Sequence, residues 1–106
     1  MAVKQQFSSL EDLINHSTTP VLVCFYANWC SSSQTFSPIL EQVKQRMQHQ
    51  LQVIKVNADK YPQLLIRHEI KVLPTSLLFI DRELAARIRG VMKTPELIQY
   101  VQKFLV

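Results

Sequence analysis

The chain has 106 residues, of which 47% are hydrophobic and 19% charged, a composition typical of one globular domain and not of a disordered chain. The net charge is +4, but the basic residues are scattered and do not interleave with aromatic residues, so nucleic-acid binding is not expected. No apolar run is long enough to span a membrane, and two cysteines are too few for a secreted disulfide framework. We therefore expect one monomeric domain over residues 1–106.

The first predicted elements are short. Residues 3–7 predict an edge strand, and Ser8 with Glu11 fits a capping box that starts a first helix. A polar segment ending at Pro20 breaks that helix. The apolar face of the helix is formed by Leu10, Leu13 and Ile14.

Residues 21–40 change from a strand pattern to a helix pattern. Residues 21–26 are a continuous apolar run rich in β-branched and aromatic side chains, which is typical of a strand buried on both faces. A helix is then predicted to run to about Gln48 with Pro38 inside it. Its apolar side chains recur at three- and four-residue steps: Phe36, Ile39, Leu40, Val43 and Met47.

Cys30 lies where this strand gives way to this helix. The first free N–H groups of a helix point at such a position, and the positive end of the helix dipole favours a thiolate there. A cysteine in this place has a lowered pKa and is a better nucleophile near neutral pH. Cys30 is therefore the predicted reactive group. The three histidines lie far from the cysteines without ligand-like spacing, so neither a metal site nor a cofactor is expected.

The rest of the chain predicts three further strands and two helices. A strand over 51–57 is followed by a short helix that opens at residues 59–62, and a strand lies within 70–80. A tight connection at residues 81–82 leads to a strand over 84–90. The last helix is predicted to begin with Thr94 as N-cap, followed by Pro95 and Glu96.

The predicted order is β-α-β-α-β-α-β-β-α, an α/β fold. Because the first three core strands alternate with helices, we expect them to be parallel neighbours. The last two strands are joined tightly and are expected to be antiparallel. The result is a mixed sheet of four to five strands with helices on both faces.

Several separate motifs resemble thioredoxin. They are VLVCFYANWC at residues 21–30 before a helix containing Pro38, KVNADKYP at 55–62, VLPTSLLF at 72–79, and the closing Gly90 with a final helix. The likeness spans nearly the whole chain and implies the thioredoxin fold. The first two motifs are most similar to thioredoxins of cyanobacteria and plastids. This implies the cytoplasm, or the plastid stroma if a targeting segment has been removed.

The resemblance also implies roles for matched positions. Cys30 matches the cysteine that attacks target disulfides, and Trp29 matches the tryptophan of the docking surface beside it. Pro74 matches the cis-proline that faces this cysteine, and Leu73 would offer backbone hydrogen bonds to an extended substrate segment. The implied partners are protein disulfide substrates.

The active-site motif departs from the family at its second cysteine. Thioredoxins carry Cys-Gly-Pro-Cys, whereas this chain has Cys30-Ser31-Ser32-Ser33. The family's second thiol resolves the mixed disulfide that the first one forms, and a serine hydroxyl does not do so. The chain is therefore expected not to complete the standard dithiol cycle. A thioredoxin reductase or an outside thiol such as glutathione would be the reducing partner. Ser33 is either a natural feature or an engineered replacement that traps targets.

A second departure lies beneath the site. Cys24 matches the family's buried aspartate, and Lys55 matches a lysine that pairs with that aspartate. The favoured interpretation of Cys24 is a small buried thiol of the core. The alternative, that Cys24 resolves the mixed disulfide, requires its Cα to lie within about 7 Å of that of Cys30. Lys55 is expected to extend to the surface or to lower the pKa of a nearby thiol.

Three functions remain open on the sequence alone. The first is a monothiol exchange protein that forms mixed disulfides through Cys30. The second is a redox-inactive binding module that keeps the groove of Trp29, Leu73 and Pro74. The third is a glutathione-dependent protein similar to the monothiol glutaredoxins, whose motif is also Cys-x-x-Ser.

Overall fold

The computed structural model describes residues 10–105, and the predicted strand at residues 3–7 and the Ser8 cap lie outside them. Helices and strands alternate along the described chain except at the last two strands, which follow each other directly. A first helix, α1, covers residues 10–16. The other elements, in chain order, are β1 (Val21–Tyr26), α2 (Ser31–Arg46), β2 (Gln52–Asn57), α3 (Pro62–Arg67), β3 (Thr75–Ile80), β4 (Glu83–Arg89) and α4 (Thr94–Gln102).

The four described strands form one mixed sheet in the order β2-β1-β3-β4. Strand β1 is parallel to β2, and β3 is antiparallel to both β1 and β4. The expectation that the third core strand runs parallel to the first was therefore wrong. Helix α3 has six residues and rises about 9 Å, which is too short to carry the chain back along a strand of about 20 Å. Thr75 instead starts β3 opposite Phe25, near the carboxyl end of β1.

Helices cover both faces of the sheet, as predicted. On one face Leu22 and Cys24 of β1 pack against α2 and α4, through Phe36, Leu40, Val43, Leu97 and Val101. On the other face Val21, Val23 and Phe25 pack against α1 and α3, through Leu10, Ile14 and Leu64. Because successive side chains of a strand point to opposite faces, β1 lies in both cores, and each fully buried large apolar side chain contributes about 1.5–3 kcal/mol.

Two predicted helix ends differ from the structure. Helix α2 ends at Arg46, and Met47 closes it by donating its N–H to the carbonyl of Val43. The N-cap of α4 is Lys93, so Thr94 is already helical. The Thr94 hydroxyl donates to the Gln42 side chain of α2 at 2.7 Å, so it ties the two helices together and does not cap its own.

The predicted tight connection between β3 and β4 is a two-residue turn. Ile80 pairs with Glu83 across it, and Asp81 and Arg82 both have positive φ, 52° and 72°. Positive φ at both central residues is the pattern of a type I′ turn, which matches the twist of the strands it joins. Among residues 10–105 no helix has the length and apolar character needed to cross a membrane.

Candidate active site

Cys30 is the N-cap of α2, four residues after the end of β1. Its backbone is extended, with φ −94° and ψ 119°. Its N–H donates to the carbonyl of Ala27 at 3.2 Å, and its carbonyl accepts the first helical hydrogen bond from Gln34 at 3.0 Å. This local structure aims the half-buried side chain at the free N–H groups of the first turn.

The start of α2 stabilises the Cys30 thiolate. The backbone N–H of Ser33 and then the Ser33 hydroxyl lower the pKa of Cys30 most, and the N–H of Ser32 adds to them. Partial desolvation opposes these effects, but the pKa remains below that of an ordinary thiol. Hydrogen bonds to the charged form are one of the general causes of a lowered pKa.

Ser33 lies in the first turn of α2 and acts directly on the reactive Cys30. Its side chain is 3% exposed, and its hydroxyl oxygen accepts a hydrogen bond from the N–H of Ala27 at 3.3 Å. The same hydroxyl supports the Cys30 thiolate. The position of the family's second thiol is therefore filled by a group that stabilises a negative sulfur and has no redox chemistry of its own.

Leu73 and Pro74 approach Cys30 from the opposite side of the site. The peptide bond between them is cis, as the resemblance implies. The Cys30 thiol donates to the carbonyl oxygen of Leu73 at 3.7 Å, a contact that is lost on ionisation because a thiolate carries no proton to donate. The Pro74 carbonyl accepts from the N–H of Gly90 at 2.8 Å, which ties this loop to the end of β4.

Trp29 presents an apolar surface beside Cys30. Its side chain is 70% exposed, yet its indole N–H donates to both oxygens of the Asp59 carboxylate, at 3.0 and 3.3 Å. The backbone N–H of Asp59 in turn donates to the side chain of Asn57 at 2.8 Å. The end of β2 thus holds the tryptophan ring in place.

Cys24 is fully buried in the middle of β1, between Lys55 of β2 and Ser76 of β3. Burial raises the pKa of Cys24 to about 11, although the Ser76 hydroxyl and the Lys55 charge favour the thiolate weakly. The Ser76 oxygen has no partner with ordinary hydrogen-bond geometry, so its contact with the thiol is a poor one. These features support the interpretation of Cys24 as an unreactive core thiol.

Lys55 reaches the surface, as one of the two expectations had it. Its ammonium donates to the Ser37 hydroxyl of α2 at 2.8 Å and lies 5.3 Å from the centre of the Tyr26 ring, within the range of a cation–π interaction. The family resemblance implied that Lys55 has lost its usual carboxylate partner. In the structure a hydroxyl and an aromatic face contact the lysine.

The chain's family follows from comparison with known proteins. The family model described as Thioredoxin matches residues 2–103. The chain belongs to the thioredoxin family. This confirms the resemblance and the fold inferred from the sequence, and it supports a thiol oxidoreductase type of function, which in thioredoxins generally acts on protein disulfides.

Individual relatives point the same way. The chain is 43% identical to the thioredoxin-like protein slr0233 of Synechocystis sp., covering 99% of this chain and 100% of that protein. It is 40% identical to the chloroplastic thioredoxin Y1 of Arabidopsis thaliana over 98% of its own length, and spans 60% of that protein. A crystal structure of chloroplastic thioredoxin z superposes with a TM-score of 0.83 at 28% identity, covering 91% of this chain and 87% of that one.

The structure brings most of the predicted residues of this thioredoxin-family site together. Contacts around the Cys30 sulfur involve Ser33, the backbone of Ser32 and Leu73. Ser31 and Ser32 have exposed side chains in the first turn of α2. Cys24 and Lys55 lie on the neighbouring strands β1 and β2, apart from these contacts. Among residues 10–105 no three His, Cys, Asp or Glu side chains are grouped to hold a metal.

The sequence reasoning missed Asp59. The signal was present, because Asp59 follows the end of β2 just as Trp29 follows the end of β1. Parallel strands place their carboxyl ends at the same edge of a sheet, so side chains that follow two neighbouring parallel strands lie close together.

Proposed function

We propose that this thioredoxin-family protein is a monothiol exchange protein that works through Cys30. The Cys30 thiolate attacks one sulfur of a target disulfide, a Cys30–target disulfide forms, and the other target sulfur leaves as a thiolate that takes a proton from solvent. The observation that carries this proposal is the free, half-buried Cys30 at the N-cap of α2, with its sulfur 3.7 Å from the carbonyl oxygen of Leu73 beside the cis bond to Pro74.

The mixed disulfide persists because the site has no second sulfur within reach. Ser33 occupies the place of the resolving cysteine and forms no bond to sulfur. Cys24 does not replace it in this proposal, since that thiol is fully buried and its pKa is raised to about 11. Release therefore requires an outside reductant, either a small thiol such as glutathione or a thioredoxin reductase.

Target docking would use the exposed surface around Cys30. Trp29, Val72 and Val91 are 70%, 47% and 43% exposed. Each of them is the sequence neighbour of a site residue: Cys30, Leu73 and Gly90, respectively. Two hydrogen bonds join these residues into one site, from the Cys30 thiol to the Leu73 carbonyl and from the Gly90 N–H to the Pro74 carbonyl. We propose that an extended target segment lies here, along the backbone of Leu73 and against Pro74.

The test is a reaction with a disulfide-containing peptide, followed by a non-reducing gel and mass spectrometry. The wild-type chain should form one covalent adduct per molecule on Cys30, and Cys24→Ala, the matched control, should form it equally well. Cys30→Ser should form none. An adduct that forms without Cys30, or no adduct at all, would contradict the proposal.

The same exposed surface favours a second candidate, a binding module without turnover. The large exposed fraction of Trp29 beside Val72 and Val91 is the kind of apolar patch that marks a protein-binding site. In that case Cys30→Ser would bind targets as tightly as the wild type. A loss of capture in that variant favours the exchange function.

We also propose a location. The relatives named above come from a cyanobacterium and from a plant, the latter under the name chloroplastic, which supports the cytoplasm or the plastid stroma. Fluorescent tagging of the full-length protein in its native cells would test this, and a signal in any other compartment would contradict it.

A further inference from the structure

The Cys30 sulfur lies between the start of α2 and the segment that contains Leu73. The backbone N–H groups of Ser32 and Ser33 and the Ser33 hydroxyl face it from α2, and the Leu73 carbonyl oxygen lies 3.7 Å away. Ser33 is itself 3% exposed and is held by the N–H of Ala27 at 3.3 Å. The half-buried Cys30 side chain therefore has the first turn of α2 on one side and Leu73, which packs on the other face of the sheet, on the opposite side.

This arrangement controls where a second thiol can attack. In thiol–disulfide exchange the attacking, central and leaving sulfurs lie nearly in line, and access decides which sulfur is attacked. A target sulfur bound to Cys30 lies on the docking surface proposed above, beside Leu73 and Pro74, and not on the side of α2. The line of attack on the Cys30 sulfur then enters from the opposite side, where Ser33 and the first turn of α2 are packed.

We propose, on the basis of the function proposed above, that an outside thiol attacks the target's sulfur and not the sulfur of Cys30. The outside thiolate forms a bond to the target sulfur, the bond between that sulfur and Cys30 breaks, and the Cys30 thiolate leaves. One disulfide bond is formed and one is broken at each of the two exchange steps, and the co-reactant consumed is one outside thiol, whose sulfur ends in the new disulfide.

The result is a thiol transferase. One half of the original target disulfide leaves as a free thiol, and the other half leaves as a mixed disulfide with the outside thiol. The easily ionised Cys30 suits this step, because a sulfur of low pKa is a good leaving group. The protein would convert a protein disulfide into an S-thiolated protein, where a dithiol thioredoxin would reduce it fully.

A neighbouring cleft does not give an outside thiol access to the Cys30 sulfur from the side of Ser33. A cleft of about 310 Å³ lies between the end of β1, α2 and β2, and Tyr26, Ser33 and Lys55 contribute to its lining. Cys30 is not part of that lining. The cleft therefore borders Ser33 and not Cys30.

The test is a single-turnover reaction with a preformed mixed disulfide between Cys30 and a cysteine-containing peptide. Glutathione is added below stoichiometric amounts, the reaction is stopped with acid at early times, and the products are separated by mass. We expect free protein and a peptide–glutathione disulfide in at least about tenfold excess over glutathionylated protein and reduced peptide. Glutathione on Cys30 with release of reduced peptide would overturn the inference.

Two variants act as controls. Ser33→Cys places a sulfur at the position from which Ser33 blocks attack on the Cys30 sulfur. This variant should release reduced peptide without glutathione and should form a disulfide between Cys30 and the new cysteine at position 33. Ser33→Gly opens the blocked side and should raise the share of glutathionylated protein by at least about threefold; an unchanged share would mean that Ser33 is not the barrier. If the adduct does not form at all, the proposed function fails together with this inference, whereas an adduct with the reversed products overturns the inference alone.

Discussion

The buried Cys24 thiol should make the stability of this fold depend on pH above 9. An unperturbed thiol has a pKa of 9.0, and burial in the fold raises the pKa of Cys24 to about 11. Because the folded value is higher than the unfolded one, the unfolded chain loses its proton first as pH rises. The stabilising contribution of the neutral thiol is fully present below pH 9 and is lost as pH rises towards 11.

The magnitude follows from the gap between the two values. The pKa of the thiol is 9.0 without burial and about 11 in the fold. Because one pKa unit corresponds to about 1.4 kcal/mol, the titration of Cys24 alone should lower the free energy of unfolding by about 3 kcal/mol as pH rises through this interval. That is a large part of the 5–15 kcal/mol, roughly, by which a typical domain is stable.

The assay is urea unfolding at 25 °C and fixed pH between 7 and 11, for the wild type and for Cys24→Ala. Lysine and tyrosine titrations occur in both proteins and cancel in the comparison. At pH 7 the variant should be less stable by about 1 kcal/mol, because a buried side chain has been shortened. The difference should close and then reverse as pH approaches 11. Two stability curves that stay parallel from pH 7 to 11 would refute the reasoning.

Three further substitutions test other contacts. Asp59→Ala removes the carboxylate that accepts from the indole N–H of Trp29 and should change the emission spectrum of this single tryptophan. Asp59→Asn keeps a side-chain oxygen that can accept the same hydrogen bond, so its spectrum should stay close to that of the wild type. Identical spectra for Asp59→Ala and the wild type would contradict the contact. Arg82→Gly relieves a positive φ of 72° and should raise the free energy of unfolding by about 0.5–1 kcal/mol in thermal denaturation, and a loss of stability would contradict the turn geometry. Ser33→Ala removes a donor to the Cys30 thiolate and should raise the Cys30 pKa in alkylation kinetics, so an unchanged pKa would show that the hydroxyl has no such role.

Much of the site's framework could be predicted because it depends on local pattern. The apolar run of β1 and the helical spacing of α2 are read from neighbouring residues, and together they place Cys30 at the junction. The lowered pKa follows from that placement, since the N–H groups responsible belong to the next residues of the chain. The cis bond before Pro74 came from the family resemblance alone.

The rest depended on contacts between residues distant in sequence. Thr94 fits a cap by its type, but its hydroxyl binds Gln42, 52 residues earlier in the chain, so Lys93 takes the cap position. The direction of β3 was mispredicted because alternation of helices and strands does not reveal that a six-residue helix is too short to return the chain. Asp59 was missed because its role lies in the packing of Trp29 against a neighbouring strand end.

The most direct test of the central claim is the rate of Cys30 alkylation as a function of pH, measured in native Cys24→Ala so that one thiol reports. A sulfur stabilised by the start of α2 should titrate with a pKa below 9.0, and Cys30 should react fastest of the two cysteines in the wild type. A rate that rises only at pH 9 or above would contradict the account of Cys30 as a ready nucleophile.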